Sequence, residues 1–310
     1  MLMGVFLAIR SWLEQNLVFT LILSFIFVMF VPQVKGFLPV DAVTFLLASV
    51  VLFSCSRIHR DELKEIRFLR AVHFYWSRFL ILPAVVYGVF YLVYPPFKEA
   101  ALLLALIPSG TSSPGFVSML RGNVSLALGG VVVASLLAPF VLPSYFSLVG
   151  IRGIEVDVVG MLISLCIMVL APIAIYFLLL VRIEPVKQMM RENASVYTVV
   201  VLNIILVLII SEQRDMILAS PEQMLFSLLG CLFIYAVIFF YGWFYGYHSR
   251  PKNRISYSIL SGVNNTALGM AIAILFFPDI VVQFMVASEV AWLISLPCFQ
   301  WFLKRYARQE

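Results

Sequence analysis

Apolar residues fall along this chain in long blocks separated by short polar stretches. The blocks run over 13–32, 40–56, 71–94, 98–120, 123–149, 157–182, 195–213, 223–247, 255–277 and 280–303. The hydrocarbon core of a bilayer takes about 20 apolar residues of helix, so each block predicts one membrane-spanning helix. Two blocks carry polar interruptions. The fourth reads Pro108-Ser109-Gly110-Thr111-Ser112-Ser113-Pro114-Gly115 at its break, and the ninth reads Ser261-Gly262-Val263-Asn264-Asn265-Thr266. Both start with Ser-Gly, then one residue, then two small polar residues. Ser109 and Ser261 are 152 positions apart, close to half the chain. Five blocks lie on each side of the midpoint. An odd number of spans per half reverses the orientation of the second half. The pattern therefore predicts an inverted repeat, with halves 1–153 and 154–310.

Composition agrees with a membrane fold and closes off other classes. Of 310 residues, 63% are hydrophobic and 12% charged, with a mean hydropathy of +1.03. A water-soluble domain is about half apolar and a quarter charged, so too little polar surface exists here to cover a core in water. A disordered chain, a collagen-like chain and a disulfide scaffold are excluded as well. Cys55, Cys166, Cys231 and Cys298 lie far apart in apolar runs and read as small packing residues. No His/Cys/acid cluster has metal-ligand spacing. There is no phosphate-binding glycine loop, no HExxH and no nucleophile–base pair in any span, so neither an enzyme nor a cofactor is expected. The first block carries Glu14 and lacks a small-residue cleavage site near Pro32, which argues against a cleaved signal peptide.

The net charge of +5 is explained by where the charges sit. With both termini in the cytoplasm, sixteen Lys and Arg fall on inner segments. They cluster at Arg57–Arg70, Arg182–Arg191, Arg250–Arg254 and Lys304–Arg308, with Arg10 and Arg121. Only Lys35, Lys98, Arg152 and Arg214 fall outside. This asymmetry is the positive-inside rule. It predicts a multi-pass protein of the plasma membrane, or the inner membrane of a bacterium, with membrane lipid rather than nucleic acid as its charged neighbour.

The paired interruptions suggest function. Pro108 and Pro114 remove backbone donors, while Gly110, Gly115 and Gly262 loosen the helices. Freed amides and carbonyls at mid-membrane depth are tolerated only where protein or a water-filled cavity satisfies them. Broken helices at corresponding places in two halves point to a transporter's substrate and ion site. Thr111, Ser112 and Ser113, with Asn264, Asn265 and Thr266, are the candidate site residues.

The stretch from Pro108 to Pro139, PSGTSSPGFVSMLRGNVSLALGGVVVASLLAP, resembles the bile acid:sodium symporter family. That family's pattern is approximately PGG-x-x-SN, a short helix, RGD-x-x-LS, and a turn ending in LLAP. The ninth-block run Gly262-Val263-Asn264-Asn265-Thr266-Ala267-Leu268 resembles its E-x-G-x-QN-S-x-L, and Pro83 resembles its third-helix proline. Auxin-efflux-type carriers share the layout but match these motifs less well. The resemblance implies an all-α integral membrane fold of ten helices in two inverted repeats, with discontinuous, crossed helices 4 and 9. A panel domain would hold helices 1, 2, 6 and 7, and a core domain the rest. It also implies alternating-access transport of organic anions.

The departures from the family bear on coupling. Its first sodium site would fall on Ser113, Pro114, Ala127, Val131 and Leu260, of which only Ser113 offers a side-chain oxygen. Its second site would place Asn264 and Arg78 where two glutamines stand. A guanidinium there adds repulsion of a few kcal/mol toward a second cation. Sodium coupling of the family type is therefore expected to be absent.

Arg78 is the one Lys or Arg in the interior of a block, since Lys98 and Arg182 stand at block ends, and a charge there marks a functional site by default. Snorkelling is the competing reading, because Arg70 lies eight residues earlier, about 12 Å along a helix. Glu289 is also embedded: either it carries a proton, which would let it couple transport to H+, or it pairs with a cation such as Arg78. Arg121 reads as a turn residue, Asn203 as helix–helix glue, and Tyr75, Trp76, Trp292 and Trp301 as packing or interface aromatics.

These readings predict a secondary carrier of a small organic anion, independent of sodium, with Arg78 in place of an ion. A sodium symporter with a relocated site, and a channel or non-transporting sensor, are the alternatives. Substrate, direction and oligomeric state are not legible in the sequence.

Overall fold

The computed structural model describes residues 17–31, 41–56, 68–149 and 157–306. Its helices are α1 (Leu17–Phe30), α2 (Asp41–Cys55), α3 (Phe68–Val93), α4 (Lys98–Leu106), α5 (Ser113–Met119), α6 (Val124–Val149) and α7 (Val158–Leu165). They continue with α8 (Ala171–Leu178), α9 (Glu184–Ala219), α10 (Pro221–Tyr245), α11 (Pro251–Gly262), α12 (Thr266–Phe276) and α13 (Asp279–Tyr306). Among the described residues, six stretches are long and apolar enough to cross a membrane: Leu69–Val93, Val124–Val149, Val158–Arg182, Glu184–Ala219, Pro221–Tyr245 and Asp279–Leu303. Shorter apolar helices occupy Phe19–Phe30, Ala42–Cys55 and Thr266–Phe276. The chain is a multi-pass membrane protein. Much of the charge asymmetry rests on Arg10, Lys35, Arg57, Arg60, Lys64, Arg67, Arg152 and Arg308, which lie outside the described residues, as does His59.

The chain forms two compact units. One takes Met1–Ile58 and Cys166–Ala219, the other His59–Leu165 and Ser220–Glu310. In the first, α9 packs along α1 and α2, and α8 packs on α2. Its polar seam is centred on Asn203. The Asn203 amide donates to Thr20 Oγ1 at 3.1 Å and to the Val199 carbonyl at 2.7 Å, and its Oδ1 accepts from Ser24 Oγ at 2.7 Å. The expected glue role is what these bonds perform. Phe53 stacks on Tyr197 with ring centroids 3.9 Å apart, and the Tyr197 hydroxyl donates to Ser49 Oγ at 2.8 Å.

The α9 helix begins eleven residues before the predicted block at 195–213. Pro185 suits a first helical turn, and the polar leader supplies its own pairs. Lys187 bridges Glu184 at 3.0 Å, and Gln188 donates to Glu192 at 2.8 Å. Such neighbours one turn apart support a helix where apolar burial does not. The span over 157–182 is also less regular than a plain apolar run suggests. It passes through a π-helical turn at Cys166–Leu170, where the two units divide. Pro172, just beyond, cannot donate to a carbonyl in that turn.

In the second unit α10 packs against α11 and α13, α3 against α4 and α6, and α6 against α7. The breaks fall where the sequence places them. Pro108 holds Ile107 extended (φ −58°, ψ 131°) and ends α4. Pro114 sits in the first turn of α5. The α11 helix stops at Gly262, and Asn265 caps α12, its Oδ1 accepting from the Leu268 amide at 3.3 Å. Arg121 takes a left-handed conformation (φ 60°) in the turn between α5 and α6, as its turn assignment requires.

Candidate functional site

The two interruptions meet. Ser109 and Asn264 form an isolated antiparallel bridge. The Gly110 amide donates to the Val263 carbonyl at 2.7 Å, and the Asn265 amide donates to the Pro108 carbonyl at 2.8 Å. Backbone groups freed by the breaks thus satisfy each other across the crossing, as an apolar surrounding demands. Gly110 permits the approach, because a Cβ there would lie 3.0 Å from the Asn264 carbonyl oxygen. Gly262 has a comparable role against the Phe239 ring. Gly115, by contrast, has open space around it.

Arg78 enters this crossing from α3. It is completely buried, so snorkelling is excluded. Its Nη2 donates to the Ile107 carbonyl at 3.2 Å, the Ser261 carbonyl at 3.1 Å and Asn264 Oδ1 at 3.0 Å. The three acceptors come from both broken segments. The guanidinium carbon lies 5.3 Å from the Phe79 ring centre and 6.0 Å from that of Tyr75, within cation–π range. Nε and Nη1 are buried without a partner. Three oxygens converging on one cationic nitrogen resemble a cation's coordination shell, with the charge covalently attached to the chain.

Other side chains brace the joint. The Asn264 amide donates to the Leu104 carbonyl at 3.2 Å. Ser113 Oγ donates to the Val263 carbonyl at 3.2 Å. Ser109 Oγ donates to the Leu260 carbonyl and also bonds the Tyr75 hydroxyl. This use of Tyr75 escaped the sequence reading, which grouped it with packing and interface aromatics. Trp76 and Trp301 are exposed, whereas Tyr75 and Trp292 are buried. Leu260 is buried with its methyls against Gly130 of α6. Thr111 and Ser112 are half-buried in the turn before α5 and take no part in the Arg78 hydrogen bonds.

Glu289, on α13, accepts a hydrogen bond from Thr266 Oγ1 at the start of α12. Among the described residues it forms no ion pair, with Arg78 or any other cation. No three His, Cys, Asp or Glu side chains come together as a metal site among the described residues.

A second network escaped the sequence reading. Asn123 caps α6 through Oδ1 to the Leu126 amide at 3.1 Å. Its side-chain amide donates to Asn253 Oδ1 at 2.9 Å, and its backbone amide donates to Ser256 Oγ at 2.7 Å. It ties the α5–α6 turn to the start of α11. The run Arg121-Gly122-Asn123 was the available signal, but its partners are more than a hundred residues away.

Residues 73–220 match the model of the Sodium Bile acid symporter family. Members of that family are transporters and not enzymes. The match takes in α4, its break and α5, together with Arg78. A protein of Bacillus subtilis (strain 168) described as "Uncharacterized protein YbaS" is 24% identical over 233 residues, covering 73% of this chain and 76% of the relative. The similarity is thus to a family of membrane transporters, over somewhat less than half of this chain.

Proposed function

We propose that this chain is a secondary active transporter of a small organic anion, working by alternating access without sodium. One observation carries the proposal: Arg78 Nη2 sits among oxygens from Ile107, Ser261 and Asn264 at 3.0–3.2 Å, at the crossing of the two broken helices. A fixed guanidinium there supplies the positive charge that a bound sodium ion supplies in symporters the sequence resembles. Its unpartnered Nε and Nη1 leave donors for an acceptor group. The architecture we propose has ten spans in two inverted repeats, 1–153 and 154–310. The first unit would act as panel and the second as core. The 152-residue spacing of the two Ser-Gly breaks and the grouping of α1, α2, α8 and α9 support it. We place both termini in the cytoplasm.

The experiment is a thermal-stability screen of the purified protein against small organic anions, in sodium and in potassium buffers. The reading requires stabilisation by an anion that is equal in both salts. A shift that needs sodium would sink it and favour a relocated ion site.

A second element, proton coupling, rests on Glu289. A carboxyl embedded between α12 and α13, with the Thr266 hydroxyl as its hydrogen-bond partner, is placed to take up and release a proton as the core moves.

A further inference from the structure

One end of the second unit holds a basic cavity that the transport reading does not use. It measures about 1140 Å³, slightly above the usual range of about 300–1,000 Å³ for small-molecule sites. Its walls come from the start of α3, the end of α10 and the start of α11. They include Arg70, His73, His248, Arg250 and Lys252, and no lining residue among those described is Asp or Glu. His73 Nδ1 is bonded to the Tyr245 hydroxyl at 2.6 Å, which fixes the ring at the wall.

Among the described residues, the charge lining this cavity is of one sign. Arg70, Arg250 and Lys252 are exposed side chains that line one space, so their charges are free to meet an anion that enters it. The N-terminus of α11 opens here too. Its first turn holds no acidic residue, and Arg250 at the cap position makes no side-chain capping bond. The positive end of the helix therefore adds to the cationic side chains. Arg254, which could have crowded the space, is instead buried. Its guanidinium lies 3.5 Å from the Trp243 ring centre, and its Nε donates to the Trp243 carbonyl at 3.2 Å.

From this geometry we infer that the cavity bounded by Arg70, His73, His248, Arg250 and Lys252 binds a phosphate-bearing anion. Arginine forks and lysine ammonium groups suit phosphate oxygens, and the imidazoles add donors. The volume accommodates a phosphate carrying a substituent, such as a phospholipid headgroup or a soluble phosphate ester. This inference is independent of the transported substrate and of Arg78.

The test uses the full-length protein in detergent micelles at constant ionic strength. Inorganic phosphate and dihexanoyl phosphatidylglycerol are titrated separately, with dihexanoyl phosphatidylcholine as the zwitterionic comparison and thermal stability as readout. The expected result is saturable stabilisation by phosphate, phosphatidylglycerol or both, and not by phosphatidylcholine. The apparent Kd should rise at least tenfold in Arg250→Gln/Lys252→Gln and by less than twofold in Arg182→Gln/Lys187→Gln, which removes equal charge elsewhere. Saturation by phosphate with no further gain from the lipid identifies a soluble ligand. Saturation by phosphatidylglycerol alone identifies a headgroup. Absence of saturation with both probes, or equal weakening in the two double variants, overturns the inference. Arg70→Gln gives the same comparison should the α11 variant fail to fold.

Discussion

Arg78 donates to Asn264 Oδ1 at 3.0 Å while the same Asn264 side chain donates to the Leu104 carbonyl at 3.2 Å. One amide thus links the cation on α3 to the last turn of α4. Removing either partner strands buried polar groups on the other. Arg78→Ala leaves three acceptors short of a donor and opens a void, at a cost of about 3–5 kcal/mol. Arg78→Gln recovers part of this through its own amide. Melting temperatures in detergent should rank wild type, Arg78→Gln, then Arg78→Ala, and anion binding should fail in both variants.

The glycines offer a comparison that separates close approach from helix propensity. At Gly110 a methyl group meets the Asn264 backbone at 3.0 Å, so Gly110→Ala should destabilise by about 1–3 kcal/mol. Gly88, inside α3, has nothing within 4 Å. Gly88→Ala should therefore be neutral or stabilise by up to about 1 kcal/mol, the helix-interior difference between these residues. Thermal melts of the two single variants make the test.

Asn203 predicts a milder loss. Its hydrogen bonds to Ser24, Thr20 and Val199 lie within the first unit. Such bonds in a membrane are worth about 0.6 kcal/mol each on average. Asn203→Leu should cost about 1–2 kcal/mol and leave ligand-induced stabilisation intact. A loss of ligand response without loss of stability would make Asn203 a binding residue.

Glu289→Gln keeps shape and leaves an oxygen for the Thr266 hydroxyl, so stability should change by less than about 1 kcal/mol. In proteoliposomes the variant should lose any response of uptake to a pH gradient while still exchanging substrate. An unchanged response would remove Glu289 from coupling.

The apolar blocks and two broken segments were legible because bilayer thickness and backbone satisfaction act on local sequence. Arg78 stood out for the same reason, as a charge where charge is costly. The meeting of Ser109 with Asn264, the bracing by Tyr75 and the tie from Asn123 to Asn253 were not legible. Each joins positions far apart in the chain, and Tyr75 resembles any other aromatic of an apolar run. The π-helical turn at Cys166–Leu170 was hidden as well, since Pro172 alone does not say how the preceding turn relaxes. The polar leader of α9 was missed because hydropathy reports burial and not helicity.

The crossing itself is held by two reciprocal backbone hydrogen bonds, Gly110 to Val263 and Asn265 to Pro108. Side chains contribute no atoms to that pair. On the proposed reading, side chains around it set what is carried and which ion drives it, while this backbone pair asks nothing of them. On the same reading, a scaffold joined in this way exchanges a diffusible ion for a tethered one by changing side chains, with Arg78 as the tethered charge.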